Sequence, residues 1–168
     1  MEKDLPKLAY DYGFELESTF YGCAQCVIGA VYKVFPEMRN EGIFRSANAQ
    51  AGGMGLTSLG QCGALVAGGM LLSQLYGREL GNLTDPEGAR FEAYRLGAEF
   101  LERFTQEVGA VKCSDIQKDR MGKSFDLSRP DQFEEFEELG GHESHCPNVV
   151  GTAARIVVQM ILEKKEAA

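Results

Sequence analysis

Apolar residues recur at three- and four-residue steps along almost the whole chain, and no stretch alternates convincingly in the two-residue period of a strand. A chain patterned this way must bury stripes of helix against one another. The expected architecture is therefore all-α, an antiparallel helical bundle of about four main helices with short extra helices. A first helix is expected over about Pro6 to Leu16. A second runs from about Ser18 to Phe35, ends at Pro36, and carries Cys23, Cys26, Val27, Ala30, Val31 and Val34 on one face. The third follows the glycine-rich stretch NAQAGGMGLTSLGQ, from about Cys62 to Tyr76. The fourth opens at TDPEGAR with Asp85 as cap and Pro86 in its first turn. Phe91, Tyr94, Ala98, Leu101, Thr105 and Val108 form its expected seam. Two short helices should follow Gly109, with Phe133 and Phe136 turned inward from the acidic run DQFEEFEE. The last helix spans about Pro147 to Lys165 and buries Val150, Ala154, Val157 and Ile161.

The 168 residues suffice for a single domain, 1–168, with a core that needs no disulfide staples. A net charge of −8 excludes the basic footprint that nonspecific nucleic-acid binding requires. No apolar run is long enough for membrane insertion, and the start MEKDLPKLAYDYG is charged and lacks a signal-peptide core. The expected location is cytoplasmic, where thiols are kept reduced. Five cysteines are then many for a chain this size, and the odd number argues against a disulfide framework. Metal ligation, redox chemistry or burial remain.

Cys62, Cys113 and Cys146 fall at expected helix starts, where unpaired N–H groups and partial positive charge stabilise a thiolate. Such positions are poor places for core residues. Cys23 and Cys26 form C-x-x-C inside a helix, both on the apolar face. Val27 stands where covalent haem attachment needs a histidine, so there is no covalent haem here. No strand precedes the motif as a thioredoxin-like site would need, and no second close-spaced pair completes a zinc finger. Cys26 is expected to be buried. Both histidines lie in GGHESHCP: His142 is expected to face solvent in a loop, whereas His145 adjoins Cys146 and is the histidine able to join it as a ligand. No catalytic triad or nucleotide-binding fingerprint is present.

Four segments together carry a resemblance: YGCAQCVIGAVY, AGGMGLTSLGQCGALVAGG, VGAVKCSDI and HCPNVVGTAARIVVQMILE. The chain resembles the redox-active family named for its C-GCAxxG-C-C cysteine pattern, small bacterial and archaeal proteins with four hallmark cysteines. The resemblance implies that Cys23, Cys62, Cys113 and Cys146 are the hallmark positions and that Cys26 is an extra. Ala67 departs from the last glycine of the central motif, and its methyl group is expected to narrow the space beside Cys62. Similar proteins occur joined to haem-binding modules in split-Soret-type cytochromes, which implies an electron-transfer setting.

The expected function is therefore redox activity, with Cys23, Cys62, Cys113 and Cys146 converging in the bundle. They either ligate an iron–sulfur cluster or another soft metal, with His145 as an added candidate ligand, or cycle as dithiol and disulfide. For a cluster, Gly53, Gly55 and Gly63 are the positions where backbone amides would meet the bound group. Ligand count favours the metal; the absence of compact ligand spacing favours the thiol pair. A redox partner protein and a homo-oligomer are both compatible with the sequence. The alternative is a non-catalytic metal-handling or accessory protein for a transporter or oxidoreductase partner. Both a catalytic and a non-catalytic role are compatible with the sequence.

Overall fold

A computed structural model describes residues 4–167, and among them the regular structure is entirely helical. Helix α1 spans Leu5–Phe20, α2 Cys23–Val34, α3 Glu41–Ser46, α4 Gly63–Tyr76, α5 Ala89–Val108, α6 Cys113–Met121, α7 Pro130–Glu138 and α8 Cys146–Glu166. The all-α architecture is the expected one. Its long members are five: α1, α2, α4, α5 and α8. Helix α8 packs against the other four, and the predicted inner positions Val150, Ala154, Val157 and Ile161 are all fully buried.

The α1–α8 contact is the most extensive and rests on glycine. A Cβ on Gly13 would sit 3.0 Å from the Gly151 Cα, so only a bare backbone permits this approach. Helix α1 runs four residues past its predicted end. The chain then breaks at Tyr21 and Gly22, both with positive φ, where one continuous second helix was expected. The break makes Cys23 the first residue of α2.

Two details of α5 differ from expectation. Asp85 does cap the helix, accepting from the Ala89 and Arg90 amides at 2.8 and 3.1 Å, but it does so across a turn that contains Pro86. The helix itself starts at Ala89. Its buried face is Leu96, Phe100, Phe104 and Val108, while Phe91, Tyr94 and Leu101 of the predicted seam are exposed. The face is chosen by α4: the Phe100 ring fills the space beside Gly68, where a Cβ would lie 2.2 Å from the ring. A smaller apolar cluster of Phe125, Leu127 and Phe136 lies under α7, with Phe133 and Cys146 packed against it.

Candidate functional site

The break before α2 adds a fourth cysteine to the three expected at helix starts. Cys23 opens α2, Cys62 immediately precedes α4, Cys113 opens α6 and Cys146 opens α8. All four line one cavity of about 170 Å³, together with Glu17, Gln117, Arg120, His142 and His145. Cys26 is not part of that wall. It is buried, as expected, and its thiol donates to the Tyr21 carbonyl at 3.2 Å.

Segments distant in sequence are tied together to build the wall. An antiparallel bridge joins Gln61 to Lys112. Around it the Cys62 amide donates to the Val111 carbonyl at 2.9 Å, the Cys113 amide to Gly60 at 3.0 Å and the Ser114 amide to Ser58 at 3.1 Å. Buried Gln117 completes the joint. Its Nε2 donates to Ser58 Oγ at 3.0 Å and its Oε1 accepts from the Phe125 amide at 2.8 Å. The loop from Gly52 to Ser58 holds Gly52, Gly53, Met54, Gly55, Leu56 and Ser58 at positive φ. Strain of this kind in non-glycine residues persists only where surrounding contacts over-determine it.

Cys23 and Cys62 line the same wall, and the Cys62 thiol favours the thiolate on Cys23 beside it. Cys62 does so most, burial opposes it, and the amides of Gly52, Ala24 and Gly63 add to it, so that the first ionisation of the pair falls to about 7. Ala24 and Gly63 lie in the first turns of α2 and α4, so the Cys23 sulfur rests on two helix N-termini at once. Gly63 makes that position possible: a Cβ there would stand 2.6 Å from the Cys23 sulfur. Cys62 is the neutral partner. Cys23 beside it and then burial push its own ionisation up.

The expectation that Cys62, Cys113 and Cys146 carry the thiolate is corrected, as is the exclusion of Cys62 from the core, since it is buried. Cys146 follows a π-helical turn, Gly141–His145, and its amide is bonded to the Gly141 carbonyl. Helix α8 thus continues an existing turn instead of opening with free amides. Burial, followed by the charges of Glu17, Cys23 and Cys113, pushes the Cys146 thiol up, and Arg120 opposes only in part. Burial likewise raises Cys113 to about 11, partly offset by its bond with Ser58.

His142 is also corrected. It is 9% exposed, not a solvent-facing loop residue. Its Nδ1 is hydrogen-bonded to Glu137, its Nε2 lies 3.8 Å from Glu17 Oε1, and its ring stacks on Tyr21 at 4.0 Å. Glu17 is 1% exposed. Burial first, then the charge on Cys23, raises its carboxyl to about 8, with a bond to Cys26 opposing.

Residues 21–160 match the family described as "Putative redox-active protein (C_GCAxxG_C_C)". The chain belongs to the C_GCAxxG_C_C family. No curated protein and no solved structure matches it. The cysteines that carry the resemblance to the C_GCAxxG_C_C pattern are the four that share the cavity, and the extra one, Cys26, lies outside it. Of the three glycines singled out from sequence, Gly63 touches the Cys23 sulfur and Gly53 backs the Cys113 Cβ, where an added Cβ would come within 2.8 Å; Gly55 faces open space. Ala67 is buried but does not line the cavity, so its methyl group does not narrow it. Among the described residues no three His, Cys, Asp or Glu side chains are disposed to hold a metal ion.

Sequence reading missed Glu17, Gln117 and Arg120, although register offered a signal for each. Glu17 follows Ala9 and Gly13 at four-residue steps on the buried face of α1. Gln117 and Arg120 stand four and seven residues after Cys113, on its side of α6.

Proposed function

We propose that this redox-active family member exchanges thiols and disulfides at Cys23 and Cys62. The observation that carries this reading is that Cys23 and Cys62 stand at the starts of two helices on one cavity wall, with the Cys23 sulfur packed against the bare Gly63 backbone; the Cys23 thiolate is the favoured one. Cys23 is the attacking thiolate and Cys62 the resolving thiol. Cys23 attacks an external disulfide, whose S–S bond breaks and whose leaving thiolate takes the bonding pair. Cys62 then loses its proton and attacks the Cys23 sulfur of the mixed disulfide, releasing the second thiolate. Two protein thiols and one external disulfide become one protein disulfide and two external thiols, a two-electron transfer. Cys113 and Cys146 are reserve thiols of the same wall, raised by burial and unreactive until charge or solvent reaches them.

The test is titration of the reduced protein in redox buffers, with the disulfide mapped by mass spectrometry. A reversible Cys23–Cys62 disulfide is the expected result. Stoichiometric iron and sulfide in protein purified without oxygen would replace this reading with a cluster held by Cys23, Cys62, Cys113 and Cys146.

A further inference from the structure

Two buried side-chain atoms among the described residues have no hydrogen-bond partner: Glu17 Oε2 and Arg120 Nε. Both side chains line the cysteine cavity. A buried donor left without an acceptor is costly, and most costly when charged, so such an orphan calls for an explanation. The other partly buried arginines each meet a carboxylate: Arg90 with Asp85, Arg103 with Glu163 and Arg155 with Glu107. Arg120, also partly buried, meets none among the described residues.

Arg120 shares the cavity with the reacting sulfurs. It lines the same wall as Cys23, and its charge bears on the Cys146 thiol. Around it the wall is largely apolar, with Leu56, Ile116, Leu127, Phe133 and Val149. A cavity of about 150 Å³ accepts a benzene-sized molecule, so the 170 Å³ here suits a small molecule with a short chain and a small polar head. A planar guanidinium selects a carboxylate for that head.

We propose that the cavity binds a small carboxylate-bearing disulfide, its carboxylate on the Arg120 guanidinium and its sulfur against Cys23. The sulfur half of this inference rests on the exchange reading above; the carboxylate half rests on Arg120. Oxidation proceeds as written for the external disulfide, with the two substrate halves leaving as carboxylate-bearing thiols.

The test compares dithiodiglycolate with the neutral 2-hydroxyethyl disulfide as oxidants of Cys23. Against a chain of net charge −8 an anion is at a long-range disadvantage, yet dithiodiglycolate is expected to react about 10- to 100-fold faster, the worth of one charged hydrogen-bonded contact. Arg120→Gln brings that ratio to one or below, and Arg120→Lys keeps part of it. Thiodiglycolate, which has no disulfide to exchange, protects Cys23 from iodoacetamide in the wild-type chain and fails to do so in Arg120→Gln. A wild-type ratio at or below one, or protection that survives Arg120→Gln, overturns the carboxylate site while leaving exchange intact. If neither disulfide oxidises Cys23, the exchange reading fails together with the substrate assignment, and thiodiglycolate protection then decides the carboxylate site by itself.

Discussion

Replacing Glu17 by glutamine keeps the shape of the side chain and removes its proton equilibrium, so it isolates the cost of burying this carboxyl. The folded group titrates at about 8 and the unfolded one at 4.5. Between those values the folded chain holds a proton that the unfolded chain has lost, and stability falls with rising pH by about 1.4 kcal/mol per unit. Over the whole interval the loss is about 5 kcal/mol, full stability being present below 4.5. Cys23 works in the opposite direction: its lowered ionisation adds stability between about 7 and its ordinary value of 9.0. The clean window is therefore pH 5 to 7, where Glu17 alone should cost the wild-type chain about 3 kcal/mol. Urea unfolding of reduced wild type and Glu17→Gln at pH 5, 6 and 7 measures it. The two should be nearly equal at pH 5, with the variant the more stable by about 3 kcal/mol at pH 7. Parallel pH profiles would refute the reasoning. They would mean that Glu17 is ionised in the folded chain.

Four further outcomes follow from the cysteine pair. The rate of Cys23 alkylation by iodoacetamide should rise with pH through a midpoint near 7; Cys62→Ala moves the midpoint up by removing the donor, whereas Cys62→Ser, which still donates, largely restores it. Cys62→Ser should also trap the mixed disulfide, visible as a stable mass adduct on Cys23. Gly63→Ala places a methyl group 2.6 Å from the Cys23 sulfur and should displace it from the α4 amides, raising the alkylation midpoint by about one unit or more while circular dichroism stays helical. Cys26→Ser should leave exchange largely intact, since Cys26 lies outside the cavity wall, and a loss as large as that of Cys62→Ala would overturn the assignment of the pair.

Much of this molecule was legible in residue order because it depends on near neighbours. Three- and four-residue spacing dictates helices, and it located the inner face of α8 and the cysteines at Cys62, Cys113 and Cys146. Periodicity alone does not say which of two apolar faces a helix buries. On α5 both Phe91–Tyr94–Leu101 and Leu96–Phe100–Phe104 offer a seam, and the decision belongs to Gly68, on another helix, whose missing side chain admits the Phe100 ring.

The same division runs through the site. The positions of the four cysteines are local facts, but the charge on each depends on groups brought in from elsewhere. Cys23 gains its thiolate from amides at Gly52 and Gly63 and from the Cys62 thiol, residues far along the chain that the fold alone brings together. Cys146 loses the charge its position promised because burial and then the charges of Glu17, Cys23 and Cys113 disfavour it, and a π-helical turn already occupies its helix start. His142 is buried because Glu17 and Tyr21 arrive from the other end of the sequence. A helix can be encoded by its own residues, since its bonds close within four positions. The ionisation of a buried thiol cannot, because it is set by whichever dipoles and charges tertiary packing places within a few ångströms of the sulfur.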